Sequence, residues 1–146
     1  MRAFAVAPVV LLFLASCRQT MIVNTESSES IPSEVAVSKL QELLPTVDFV
    51  KCLSPRATIE HKELKDWKID ATGVGFHGQA PYRFRYLDIQ STEFARIIGS
   101  GPIYEVVLLI SEGEPEPKGM FSFNWLDETR ARKVLELFEA MRRKSK

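Results

Sequence analysis

Apolar residues between positions 67 and 125 recur with a period of two, which is typical of half-buried β-strands. The alternation is clearest in residues 67–71, 82–86 and 121–125. Residues 89–98 are rich in β-prone side chains. Residues 103–110 are almost continuously apolar, which indicates a central strand covered on both faces. The pattern therefore predicts at least five successive strands.

Two other segments have helical spacing. Asp127 is a predicted N-cap, and five apolar residues follow it at intervals of three or four. They are Ala131, Val134, Leu135, Phe138 and Met141. A second, shorter helix is predicted over residues 34–44, with Ser33 as its N-cap and Pro45 after its end. The chain is thus expected to be an α+β protein, an antiparallel β-meander closed by a C-terminal amphipathic helix.

This arrangement resembles the bacterial pleckstrin-homology-like and GRAM-type domains. The residues that carry the resemblance are Tyr86, Leu87, Asp88, Ile89, Gln90 and Ser91, then the 121–125 strand and the helix after it. The resemblance covers about residues 67–143 and implies a PH-like half-barrel. The helix over 34–44 is not part of the PH-like pattern. A different small α+β sheet and a lipocalin-like barrel are the alternatives.

The N-terminus has the pattern of an export signal. Arg2 precedes an apolar run over residues 3–14, which is too short to span a bilayer. Leu14, Ala15, Ser16 and Cys17 follow. This sequence resembles the lipobox of bacterial lipoproteins. The alternatives are an ordinary secretory signal and a cytosolic protein with an apolar N-terminus.

The lipobox resemblance implies that residues 1–16 are a signal peptide and that Cys17 is acylated after cleavage. The protein would then be lipid-anchored in the cell envelope, facing the periplasm or the exterior. Arg18 rather than Asp at the next position favours the outer membrane in a Gram-negative cell. Residues 17–33 are rich in Ser, Glu and Thr without periodicity, so we expect a flexible tether before a single domain over residues 34–146.

Composition narrows the functional classes. The 146 residues are 45% hydrophobic, with 19 basic and 19 acidic side chains. That balance is ordinary for a globular domain and argues against a nucleic-acid-binding protein. Two cysteines and two histidines do not suggest a disulfide framework or a metal site, and no known catalytic motif is present. We therefore predict no catalytic residue, metal or cofactor.

The segment from Gly73 to Gly78 matches the spacing G-x-G-x-x-G. In dinucleotide-binding proteins the last glycine begins a helix that holds the pyrophosphate. Here Pro81 and a predicted strand follow instead. We interpret these glycines as bulges and a turn in a curved sheet.

Lys68, Arg83 and Arg85 resemble the loose basic pattern by which some PH domains bind inositol phosphates, so they form a speculative anion-binding set. Arg83 and Arg85 are two apart on one predicted strand and would share one face. A solvated strand face explains the same residues. Cys52 would be the only free thiol once Cys17 is acylated, and its apolar neighbours predict burial. His61 and His77 have no metal-ligand spacing and are expected to be hydrogen-bonded or on the surface.

The features together predict a non-enzymatic envelope lipoprotein that acts as an interaction or adaptor module. Its partners would be the membrane, through the lipid anchor, and an envelope protein bound at a sheet edge or beside the C-terminal helix. The alternative is a carrier or sensor of a small hydrophobic or anionic ligand held in the curved sheet. An enzyme built on Cys52 or a histidine is a third hypothesis.

Overall fold

The computed structural model describes residues 18–55, 57–99, 101–112 and 119–146. The predicted signal peptide over residues 1–16, Cys17 and residues 113–118 lie outside these ranges. Nine strands are present in the described part: β1 (Arg18–Met21), β2 (Phe49–Leu53), β3 (Thr58–His61), β4 (Lys65–Ile69), β5 (Gly73–His77), β6 (Pro81–Arg85), β7 (Ile89–Ile97), β8 (Ile103–Ile110) and β9 (Gly119–Trp125). The same described ranges contain two α-helices, α1 (Ser33–Leu43) and α2 (Glu128–Lys144). Short 3-10 turns form at Glu26–Ser30, Leu44–Thr46 and Tyr86–Asp88.

The strands form two antiparallel sheets. The larger has six strands in the order β1-β7-β8-β9-β2-β3, and the smaller has β4-β5-β6. This confirms an α+β fold built from antiparallel strands. The apolar β8 lies near the middle of the six-stranded sheet, as predicted. The 3-10 turn Tyr86–Asp88 connects the small sheet to the large one.

The core lies between the two sheets and beneath α2. Aromatic rings from both sheets meet there, with Phe84 of β6 5.0 Å from Phe121 of β9 between ring centroids. Phe138 of α2 packs 5.7 Å from Phe123 of β9. Because the aromatic positions alternate along each strand, one face of each sheet is apolar. The sequence pattern therefore accounts for how the layers pack.

Helix α2 begins as predicted. The carboxylate of Asp127 accepts a hydrogen bond from the Arg130 amide at 3.2 Å, so it caps the helix N-terminus. Helix α1 differs slightly from the prediction, because Pro32 is its N-cap and Ser33 its first helical residue. No helix in the described ranges is long and apolar enough to cross a bilayer.

The structure corrects the flexible tether expected over residues 17–33. Its described part, from residue 18, is built into the domain: β1 pairs with β7 along its whole length. The 3-10 turn Glu26–Ser30 is held by α2, where Arg143 donates to the Thr25 carbonyl and the Ser28 hydroxyl, each at 3.0 Å. Lys144 donates to the Ile31 carbonyl. Tertiary hydrogen bonds order a segment whose composition alone predicts disorder.

Candidate functional site

The outer face of the three-stranded sheet carries an open trough of about 630 Å³. Strand alternation explains its polarity. Phe76 of β5 and Tyr82 of β6 point into the core, so their neighbours along each strand face outward. Two of those outward positions on β5 are glycines, Gly73 and Gly75, which leave the middle of the sheet without side chains. The trough follows from those two missing side chains.

Lys68 and Arg83 stand on opposite sides of this trough. Lys68 pairs in register with Gly75, and Gly75 pairs with Arg83, so the three residues form one row across the sheet. Neighbouring strands lie roughly 4.8 Å apart, which places the two cationic residues about 10 Å apart at their backbones. Both are exposed, and neither forms an ion pair within the described ranges. Their charges are available to a ligand.

Arg85 is separated from this pair, although it shares their face of the sheet. Its guanidinium donates to both oxygens of Asp88, at 2.8 and 3.0 Å. Asp88 is buried, so this bidentate pair fixes the turn that leads into β7. The structure thus brings together two of the three residues predicted to bind an anion and gives the third an internal role.

Carboxylates also line the trough. Asp70 accepts hydrogen bonds from the amides of Thr72 and Gly73, at 2.8 and 3.0 Å. These bonds hold its pKa below the ordinary value, with a smaller contribution from the charge of Arg83. Asp66 adopts a left-handed φ of 55° where the β4 register shifts. The floor of the trough is thus formed by Gly73 and Gly75. The cations Lys68 and Arg83 lie on either side of Gly75, and the two carboxylates lie on the β4 side.

The two glycines of the floor serve different purposes. A Cβ on Gly73 would lie 2.1 Å from the Phe84 carbonyl oxygen, so only glycine permits that backbone approach. A Cβ on Gly75 would meet nothing closer than 3.5 Å. Gly75 is therefore dispensable for packing, and its missing side chain leaves space between Lys68 and Arg83.

The G-x-G-x-x-G segment forms β5 and leads into β6, so a strand follows it as predicted. The bulges predicted for these glycines are not found within β5, whose pairing with β6 is regular. The irregularity lies instead on β4, between Lys65 and Lys68. A chain that turns from strand to strand offers no helix N-terminus for a pyrophosphate here.

A buried polar chain connects three strands beside the trough. The Gln79 amide donates to His61 Nδ1 at 3.1 Å, so the neutral ring carries its proton on Nε2. That nitrogen lies 3.1 Å from the Tyr82 hydroxyl, and Tyr82 in turn lowers the pKa of the neighbouring Cys52 thiol. His61 is buried and hydrogen-bonded, which confirms one of the two alternatives expected for it. His77 lines the trough, and its Nδ1 has no hydrogen-bond partner within the described ranges.

The environment of Cys52 opposes nucleophilic chemistry. The residue is partly buried, and burial raises the pKa of its thiol to about 12, although the bond from Tyr82 acts in the opposite direction. A nucleophilic cysteine needs a lowered pKa. Across the described ranges, no group of three or more His, Cys, Asp or Glu residues is placed to hold a metal ion.

Comparisons with known protein families, curated proteins and solved structures find no match to this chain. The candidate site therefore stands on its geometry. Sequence reasoning identified Lys68 and Arg83 but missed Gly75, Asp70 and His77, which line the same trough. Gly75 lies between the two cations because it pairs with Lys68 on one side and with Arg83 on the other. The alternation along a single strand does not show which residues pair across strands.

Proposed function

We propose that this protein is a non-enzymatic lipoprotein of the cell envelope, anchored through Cys17, that acts as an adaptor. Its trough would bind an acidic segment of a partner protein. The observation that carries the proposal is the placement of two exposed cations, Lys68 and Arg83, on either side of Gly75, neither of them in an ion pair with another described residue. A carboxylate lying over the glycine could receive hydrogen bonds from both side chains.

The shape of the trough favours a polypeptide. It is open to solvent and lies across three strands, two of which, β4 and β6, are sheet edges. An extended segment can pair with one of these edge strands beside the trough, and an acidic side chain further along the same segment can reach over the outer face to the cations. Backbone pairing would supply affinity, and the two cations would supply selectivity for the acidic residue.

A small anionic ligand is the second candidate, since 630 Å³ is within the range of small-molecule sites. It would bind on the outer face. The space inside the curved sheets is occupied by rings such as Phe76, Phe84 and Phe123, which argues against the interior ligand that the sequence suggested.

The anchor and the detailed fold are parts of the same proposal. The lipobox resemblance at residues 14–17 supports acylation and an envelope location, with Arg18 favouring the outer membrane. The PH-like half-barrel also stays a prediction. Two antiparallel sheets and a C-terminal helix support it, and PH-like modules serve many binding functions.

The test is native mass spectrometry on protein extracted gently from its own membranes. The wild type is compared with Lys68→Ala/Arg83→Ala and with Lys39→Ala/Lys133→Ala, a control that removes the same charge from the two helices. We expect an acylated chain carrying a second polypeptide that only the trough variant loses. If the wild type instead carries the extra mass of a small molecule, and Lys68→Ala/Arg83→Ala loses it, the result would favour a carrier of a small anionic ligand.

Two results would contradict the proposal. A partner retained by Lys68→Ala/Arg83→Ala would show that binding occurs elsewhere on the molecule. A chain without acyl mass at Cys17 would overturn the anchor. Because the first concerns the trough and the second the N-terminus, one sample separates the two parts of the proposal.

A further inference from the structure

Strand β1 is an edge strand of the six-stranded sheet. Arg18, the first residue of β1, pairs with Ile97, the last residue of β7. Residue 17 is joined to Arg18 by one peptide bond, so their Cα atoms are about 3.8 Å apart. An acyl anchor on the predicted site, residue 17, would therefore be attached one residue before the end of the sheet at which Arg18 pairs with Ile97.

Two exposed apolar side chains lie at this same end. Ile98 directly follows β7 and is 49% exposed. Leu126 directly follows β9 and is 64% exposed. The pairing of Tyr104 with Trp125 places the end of β9 beside the start of β8, so both apolar residues belong to one end of the sheet. We call Ile98 and Leu126 the apolar tip.

The charges around the apolar tip are compatible with a lipid surface. Asp127 and Glu128 follow Leu126, and each is paired with an arginine one turn along α2, at 3.6 and 2.9 Å. Asp48 accepts a hydrogen bond from the Leu126 amide at 2.9 Å. Arg96, two residues before Ile98, is exposed and forms no ion pair within the described ranges. Anionic headgroups would thus meet Arg96, which has no ion pair among the described residues, and carboxylates that already have partners.

We propose that the apolar tip docks into the lipid surface, so that the domain rests directly on the membrane instead of hanging from a tether. The inference rests on the proposed acylation of Cys17. Acyl chains on Cys17 would enter the bilayer one residue before β1 begins. Ile98, at the same end of the sheet, would then lie in the headgroup region. For comparison, the apolar face of an interfacial amphipathic helix is buried roughly 5–10 Å into the boundary between headgroups and acyl chains.

The length of the six-stranded sheet separates the end of the domain that would face the membrane from the end that would face away. Strand β7 has nine residues, from Ile89 to Ile97, and at roughly 3.3 Å per residue its two ends are about 26 Å apart. Leu87, which precedes β7, therefore lies at the end remote from the apolar tip. It is 50% exposed, almost the same as Ile98. The two positions form a matched pair that differs in distance from the proposed membrane.

The experiment uses full-length protein taken from membranes and reconstituted in vesicles of phosphatidylethanolamine and phosphatidylglycerol with brominated acyl chains. Ile98→Trp and Leu87→Trp each add one indole, and the fluorescence of the wild type is subtracted. Mass spectrometry first establishes acylation of each sample. We expect bromine to quench the added indole in Ile98→Trp and to leave that in Leu87→Trp unchanged.

The outcomes separate the two proposals. Acylated protein in which both added indoles are quenched equally, or neither is, would overturn the docked orientation and leave the anchor standing. An unacylated chain would overturn the anchor and, with it, the docking. A third variant, Leu126→Trp, tests the other half of the apolar tip, and its indole should be quenched like that of Ile98→Trp.

Discussion

The guanidinium of Arg18 lies 2.9 Å from the buried carboxylate of Glu105. Arg18 also reaches Glu93 at 2.8 Å, so one side chain on β1 bridges carboxylates on β7 and β8. The other oxygen of Glu105 accepts a hydrogen bond from Ser122 of β9 at 2.6 Å. This network attaches the edge strand to the centre of the sheet, where composition alone predicts a tether.

Removing the cation tests that attachment. In Arg18→Ala the Glu105 carboxylate loses its charge partner while staying largely buried, so we expect the free energy of unfolding to fall by about 1–3 kcal/mol. Urea unfolding measures the loss, and amide hydrogen exchange should show faster opening of β1. Gln19→Ala, on the same strand, is the control. Equal stability of the two variants would mean that β1 is held by backbone pairing alone.

The contrast between Gly73 and Gly75 gives a second prediction. Gly73→Ala forces a Cβ against the Phe84 carbonyl oxygen, and such overpacking costs about 1–3 kcal/mol. Gly75→Ala should change stability by less than about 0.5 kcal/mol, since its Cβ makes only ordinary contacts. Thermal or urea unfolding of the two variants checks this. Equal losses would show that the trough floor is needed for packing.

The sequence predicted those strands and helices whose own residues have a recognisable apolar pattern. Strands β4, β6 and β9 alternate, β7 and β8 have β-prone or apolar runs, and the stripe of α2 has a period near 3.6. Strand β5 was interpreted instead as glycine bulges and a turn, because its glycines interrupt the pattern. Strands β2 and β3 were missed because Phe49–Leu53 does not alternate and Thr58–His61 contains a single aliphatic residue. Strand β1 was missed for another reason: Arg18–Met21 has no apolar alternation, and its pairing with β7 depends on residues far along the chain.

The site divides in the same way. Alternation correctly placed Arg83 and Arg85 on one face of β6. Whether each arginine forms an ion pair depends on residues outside β6, and the alternation along one strand does not identify them. Arg85 is paired with Asp88 in the following turn, whereas Arg83 lies across Gly75 from Lys68. Register and turn geometry set that difference, and neither can be read from a single strand.

Stability should also depend on pH through His61. Burial lowers the pKa of His61 below its ordinary value of 6.5, and protonation of Nδ1 would break the bond from Gln79. The unfolded chain therefore takes up its proton first, so the contribution is complete above about pH 6.5 and declines as the pH falls towards the folded-state pKa.

Urea unfolding from pH 8 to pH 5 measures this slope. His61→Gln should flatten it, and His77, present in both proteins, cancels in the comparison. The pKa values of Asp70 and Glu93 are lowered from 3.8 and 4.5, so their contributions are lost only at more acidic pH. A slope unchanged in His61→Gln would place the titrating group elsewhere.

The thiol of Cys52 should react slowly in the folded protein. Burial raises its pKa from 9.0 to about 12, so the thiolate at a given pH is about a thousandfold scarcer than for an exposed cysteine. We expect iodoacetamide at pH 8 to label Cys52 slowly in the native state and readily in urea, as followed by mass spectrometry. Tyr82→Phe removes a hydroxyl that lowers the pKa of the Cys52 thiol, so it should slow native labelling further, provided the fold stays closed. Rapid labelling of the folded wild type would instead indicate an activated thiol and support an enzyme built on Cys52.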